Sequence, residues 1–185
     1  MRTALGFRAH SGWAALVAVA GTLEAPRILE RRRVVIADPE LAGSKQPYHA
    51  AARLPFPRGE ALIEGAIESS RALALEAISA SIKALATKGH EVASCAVVLG
   101  SGKPLPPLEK ILTSHPMLHT AEGELFREVL LWAAKECRLP VTGVPQKSLD
   151  FRSLQRIDSL GKLIGPPWTQ DQKYATLAAL MSLTY

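Results

Sequence analysis

The stretch that decides the fold is TALGFRAHSGWAALVAVAGTLEAPRILERRRVVIAD, residues 3–38. TALGFRA and AALVAVAG are short β-like runs split by the turn-forming HSG. GTLEAP then connects to a third run, RILERRRVVIAD, in which Val34, Val35 and Ile36 are β-branched and Asp38-Pro39 marks the end. Three strands joined by such short turns form an antiparallel meander.

The rest of the chain changes period. PELAGSKQPYHAAARLPFPRG is rich in Pro and Gly and reads as an irregular connection with one short helical turn. EALIEGAIESSRALALEAISASIKALATKGH places Ile63, Ile67, Ala74, Ile78, Ile82 and Leu85 near one stripe at helical spacing, and Gly89 suits the cap that ends it. HEVASCAVVLGS is an apolar run bounded by turns, as expected of a strand covered on both faces. A Pro-rich loop, GKPLPPLEKIL, leads through a short helix to a second long one, SHPMLHTAEGELFREVLLWAAKECRL. PVTGVP reads as a short strand and DFRSLQRIDSLGKLIG as a helix. PPWTQDQKYATLAALMSL reads as the last helix, with Pro167 near its start. The order β-β-β-α-β-α-β-α-α predicts an α/β fold. Its sheet has five strands, three antiparallel and then parallel ones, in the RNase H-like manner, with helices on its faces. One such domain is expected over residues 1–185.

Composition is globular, with 48 % hydrophobic and 21 % charged residues. Lys and Arg number 22 against 17 Asp and Glu, so the net charge of +5 permits a nucleic-acid partner without requiring one. Cys95 and Cys137 form no Cys-x-x-Cys pair, and two such cysteines suit free, buried thiols and a cytoplasmic setting. The N-terminal apolar run is broken by Arg8, His10, Ser11 and Gly12 and is too short to span a bilayer, so no membrane association is expected.

VASCAVVLGS, HTAEGELFREVLLWAAKECRLPVTGVP and GPPWTQDQKYATLAALMSL, together with the opening LGFRAHSGWAALVAV, resemble in order and spacing the RuvC-type Holliday-junction resolvases. The resemblance implies a nuclease that holds two divalent ions on several carboxylates. The first of these would come from the opening strand, where this chain has Arg8 and His10. The next would end the strand SCAVVLGSG, which carries no acid. The last would stand at the start of the final helix, where Asp171 is the candidate. The resemblance thus implies a resolvase-like domain without two-metal nuclease activity. Such a domain would serve as a binding or scaffold module that contacts nucleic acid through Arg27, Arg31, Arg32, Arg33 and Lys103, and it would admit a homodimer.

A different reading starts from SHPMLHTAEGELFR, residues 114–127. Pro116 belongs in a first helical turn, so Ser114 or His115 would cap the helix, with Glu122 and Glu124 in the early turns that favour acids. On one helical face, however, His115, His119 and Glu122 are also suited to a metal ion. If the helix starts at the carboxyl end of the sheet, His119 and Glu122 would stand beside His10 and form a catalytic group. The chain would then be a metal-dependent hydrolase. No cofactor is called for other than a divalent metal at this place. The adjacent His10 and Ser11 of AHSGW read as a turn, as does GSGKP, which lacks the spacing of a phosphate loop. Trp13, Trp132 and Trp168 read as packing residues.

Overall fold

The computed structural model describes residues 1–100, 102 and 104–183. The opening segment forms β1 (Arg2–His10), β2 (Trp13–Gly21) and β3 (Pro26–Val35). A two-residue turn joins the first pair, with His10 opposite Trp13. Gly12 takes φ +79° in that turn, and its carbonyl accepts hydrogen bonds from Ile36 and Ala37. Helix α1 (Pro47–Ala51) is the one helical turn in the connection that follows. Helix α2 (Phe56–Ala86) begins four residues before the expected start at Glu60, and Gly89 at φ +75° follows its end. Strand β4 (Glu91–Leu99) and β5 (Val141–Pro145) flank α3 (Leu108–Leu112) and α4 (His115–Glu136).

After β5 the expected single helix over DFRSLQRIDSLGKLIG is two pieces, α5 (Phe151–Asp158) and α6 (Gly161–Ile164). Asp150 caps the first by accepting the Ser153 N–H at 2.9 Å. The break falls at Ser159-Leu160, just before Gly161. There a Cβ on residue 161 would come 2.8 Å from the Trp168 ring, so the chain turns tightly against that side chain. Helix α7 (Gln170–Leu183) starts three residues beyond Pro167.

The sheet order is β3-β2-β1-β4-β5, antiparallel through β1–β2 and β2–β3 and parallel through β1–β4 and β4–β5. This is the mixed sheet expected. Leu5, Phe7, Leu16, Cys95 and Val97 of one face pack with Ile78 and Leu85 of α2 and with Phe126, Val129 and Leu130 of α4. On the other face Ala4, Val19, Ala96 and Val98 pack with Leu177, Ala178 and Ala179 of α7 and Ile157 of α5. Covered on both sides, Cys95 is fully buried, and burial pushes its thiol pKa well up, which makes it inert as a nucleophile. No helix among the described residues is long and apolar enough to cross a membrane.

Helix α7 lies very close to the central strand. A Cβ added to Gly6 would sit 1.9 Å from the Ala175 carbonyl oxygen, which belongs to the backbone and cannot swing aside. Gly6→Ala is therefore expected to cost on the order of 3 kcal/mol, as an overpacked core does. At Gly65, inside α2, an added Cβ meets nothing within 4 Å, so Gly65→Ala should instead gain about 0.5–1 kcal/mol from helix propensity. Urea unfolding followed by circular dichroism reads both, with midpoints moving in opposite directions.

Candidate functional site

Two polar clusters stand on this framework. The first occupies the end of β1 on the α7 face. Successive side chains of a strand alternate, so Ala4, Gly6, Arg8 and His10 point toward α7 while Leu5 and Phe7 enter the opposite core. Arg8 is thereby drawn into the interior beside the first turn of α7. Its Nε is 3.9 Å from Oδ1 of Asp171, and its guanidinium lies 6.0 Å from the Tyr174 ring centre. Both Nε and Nη1 of Arg8 are buried and have no hydrogen-bond partner. Burial holds the Arg8 pKa below the ordinary arginine value. The nearby Arg127 charge acts in the same direction, and Asp171 opposes them.

Arg127 reaches this end from α4. Its Nη1 donates to Oε1 of Glu124 at 2.7 Å, and its Nε is buried without a partner. The two side chains lie over Gly100 at the end of β4, where any Cβ would meet Arg127 at 2.7 Å and Glu124 at 2.9 Å. His10 Nε2 is 2.9 Å from Oδ1 of Asp171, within ion-pair distance, though the two make no hydrogen bond. The His10 ring stacks on Trp13 with centres 4.4 Å apart, and Arg33 lies 4.0 Å over the same indole. Arg8, His10, Trp13 and Arg33 thus form a row across β1, β2 and β3. A groove of about 410 Å³ runs beside it, lined by Trp13, Arg33, Thr169, Asp171 and Gln172 among others.

The other arginines of RILERRR have different work. Arg31 donates to the carbonyls of Gly165 at 2.9 Å, Ile164 at 2.7 Å and Pro167, tying the edge strand to the α6–α7 connection. Arg32 bonds Glu30 at 2.6 Å, the Ala77 carbonyl at 3.1 Å and the Ser81 hydroxyl at 3.0 Å, tying the same strand to α2. Strand pleating sends the two in opposite directions. Arg27 is exposed on β3, and Lys103 lies outside the described residues. Trp132 lies under Arg71, and Trp168 donates its indole N–H to the Ile157 carbonyl at 3.1 Å.

The second cluster joins α1 to α4. Ser114 takes the cap position of α4, and His115 and Pro116 open the helix. His115 and His119 therefore lie one turn apart on the same face, with their Nε2 atoms 3.2 Å apart. Their third neighbour is His49 of α1, whose ring centre is 4.5 Å from that of His119 and 5.4 Å from that of His115. One ring nitrogen from each of the three lies within 4.8 Å of the others, an arrangement that could hold a metal ion. Glu122 is not part of that set. It is 1 % exposed, and its Oε1 accepts from the His49 backbone N–H at 3.1 Å and lies 2.8 Å from His49 Nδ1. The expected grouping of His10 with His119 and Glu122 is replaced by two separate sets of partners. His10 meets Asp171 and Trp13, and His119 meets His49 and His115.

No protein-family model matches this chain, and no curated protein matches it. Among solved structures, the fold is similar to that of T. thermophilus RuvC in complex with a Holliday junction substrate. The identity is 15 % and the TM-score 0.54, over 97 % of this chain and 91 % of that one. It is also similar to the Thermus thermophilus RuvC structure, at 13 % identity and a TM-score of 0.52 over 96 % of this chain and 91 % of that one. The chain has the RuvC-type, RNase H-like fold.

Arg8 bears the desolvation of a charge without the hydrogen bonds that would offset it. Replacement by an unbranched apolar side chain of similar length is therefore expected to stabilise the fold. Arg8→Met should raise unfolding free energy by about 1 kcal/mol, because it removes a desolvated charge that also repels Arg127, while Asp171 keeps His10 and partial exposure to water. Denaturant titration at neutral pH measures it.

Proposed function

We propose that this resolvase-like domain binds nucleic acid at the carboxyl end of its sheet and does not cut it. The observation that carries the reading is Arg8. A two-metal nuclease needs carboxylates here to hold cations that neutralise a phosphodiester and activate water. This chain has a fixed cation on its central strand instead, with two buried N–H groups lacking an acceptor. A second cation, Arg127, has a further unpartnered Nε beside it. Guanidinium forks suit phosphate oxygens, so the pair can take over charge neutralisation. Neither group can lower the pKa of a water or present it in line, so binding is retained and hydrolysis is not. Asp171, the one acid at the start of α7, is held by Arg8 and His10 and cannot alone support two ions.

The row from Arg8 through His10 and Trp13 to Arg33 gives a strand a path. Positive charge would follow the backbone, from Arg8 to the Arg33 guanidinium that lies over Trp13. The Holliday junction bound by the structurally similar RuvC makes branched DNA the first substrate to try.

The test uses the untagged chain and two labelled DNAs, a four-way junction and its linear duplex arm. With Mg²⁺ or Mn²⁺ in excess, no cleavage product is expected. Filter binding should show affinity that falls steeply between low and physiological salt. Arg8→Gln should weaken binding about tenfold, roughly 1.4 kcal/mol, and flatten that salt slope. Metal-dependent cleavage lost in Asp171→Asn would overturn the absence of nuclease activity. Binding that is absent, or indifferent to Arg8→Gln, would overturn the assigned role of the sheet end.

A further inference from the structure

The histidine cluster between α1 and α4 is separate from the phosphate reading and does not depend on it. Three imidazoles from two helices meet with ring planes at 60° to 82° to one another, a tilted arrangement rather than a stack. A tetrahedral Zn²⁺ with bonds of about 2.0–2.1 Å sets its nitrogen ligands about 3.3–3.4 Å apart. His115 and His119 already stand at 3.2 Å. The whole set lies within 4.8 Å, so the widest separation exceeds that spacing by about 1.5 Å.

Glu122 supplies the second, independent observation. It is a carboxylate that α4 places in the interior, 1 % exposed, and both of its hydrogen-bonding contacts are on His49. A buried carboxylate that takes the Nδ1 proton of an imidazole fixes the tautomer. It leaves the Nε2 lone pair free and makes it a stronger donor, which is how metal-binding histidines are oriented. The same carboxylate holds the His49 backbone, so ring and main chain are fixed together. His115 and His119 are exposed, which leaves the remaining coordination position facing solvent.

We propose that His49, His115 and His119 bind one Zn²⁺ through their ring nitrogens, with Glu122 as a positioning residue and the fourth position open to water or an anionic ligand. Three neutral imidazoles select a late first-row ion and exclude Mg²⁺ and Ca²⁺, which need oxygen donors. Glu122 is thus not itself a ligand. Two helices that are 66 positions apart at His49 and His115 become cross-linked when the ion binds.

The full-length, untagged protein, stripped with a chelator, is titrated with Co²⁺ and then with Zn²⁺. One equivalent of Co²⁺ should give the visible d–d band of a four-coordinate site, and Zn²⁺ should bleach it. Equilibrium dialysis with elemental analysis should return one Zn²⁺ per chain. His49→Ala, His115→Ala and His119→Ala should each abolish the band, whereas His10→Ala should leave it intact. Glu122→Gln should keep the shape of the band and lower affinity about 10- to 100-fold, a split that a purely structural carboxylate would not produce. Far-UV circular dichroism checks each variant. If His49→Ala unfolds, the exposed His115 and His119 positions still decide the matter. Absence of stoichiometric binding, or a band that survives the His115→Ala and His119→Ala substitutions, would overturn the site.

Discussion

The contact between the Ala175 carbonyl and the bare Cα of Gly6 sets the position of everything on one side of the sheet. A helix usually stands off a sheet by the thickness of two side chains. Here α7 approaches to backbone distance over the central strand, and small residues, Ala175, Ala178 and Ala179, form the contact. That depth carries the first turn of α7 down to the strand end, so that Asp171 and Tyr174 meet Arg8 rather than water. The unusual electrostatics of the strand end therefore follow from a steric fact two residues earlier in β1.

The two polar clusters solve the problem of burying charge differently. At the strand end each arginine has a carboxylate, Asp171 for Arg8 and Glu124 for Arg127, yet each keeps buried N–H groups without acceptors. Such half-satisfied groups cost stability unless something else completes them. Between α1 and α4 the buried group is Glu122, whose Oε1 is fully engaged by His49 while Oε2 has no partner. One site is deficient in acceptors and the other is rich in donors of lone pairs, so they attract ligands of opposite sign. Helix α4 serves both, offering His115 and His119 from its first turns and Arg127 two turns later.

Local pattern made the strands legible. Alternation and β-branching in residues 3–38 and the apolar run at 92–99 predict the sheet that is observed, and the 3.6-residue stripe predicts α2. The break between α5 and α6 was hidden, because it depends on Trp168 packing against Gly161 from outside the segment. The metal-site residues were half legible. His115 and His119 are neighbours by helical spacing alone, whereas His49 sits in a Pro- and Gly-rich connection with nothing beside it to mark it. Only the packing of α1 on α4 joins them. The run of arginines misled for a related reason. Composition makes Arg31 and Arg32 equivalent, but strand pleating sends one to the carbonyls of α6 and its connection and the other to α2.

The sheet's central seam has a further consequence, for the order in which the chain assembles. Strands β1, β2 and β3 pair through short turns and can zip early, on the timescale of a hairpin. The other side of β1 must wait for β4, which pairs with it in parallel at Leu5–Cys95 and Phe7–Val97, 90 residues farther along. Loop closure on that scale precedes any reward from the contact, so the topology is intrinsically slow to form. During that interval β1 is an open edge bearing Leu5 and Phe7, charged only near its two ends at Arg2 and Arg8, whereas the finished edge β3 carries charges along its length. A newly made chain is thus most exposed to sticky encounters while α2, with its 31 residues, is still being laid down between the two halves of the sheet.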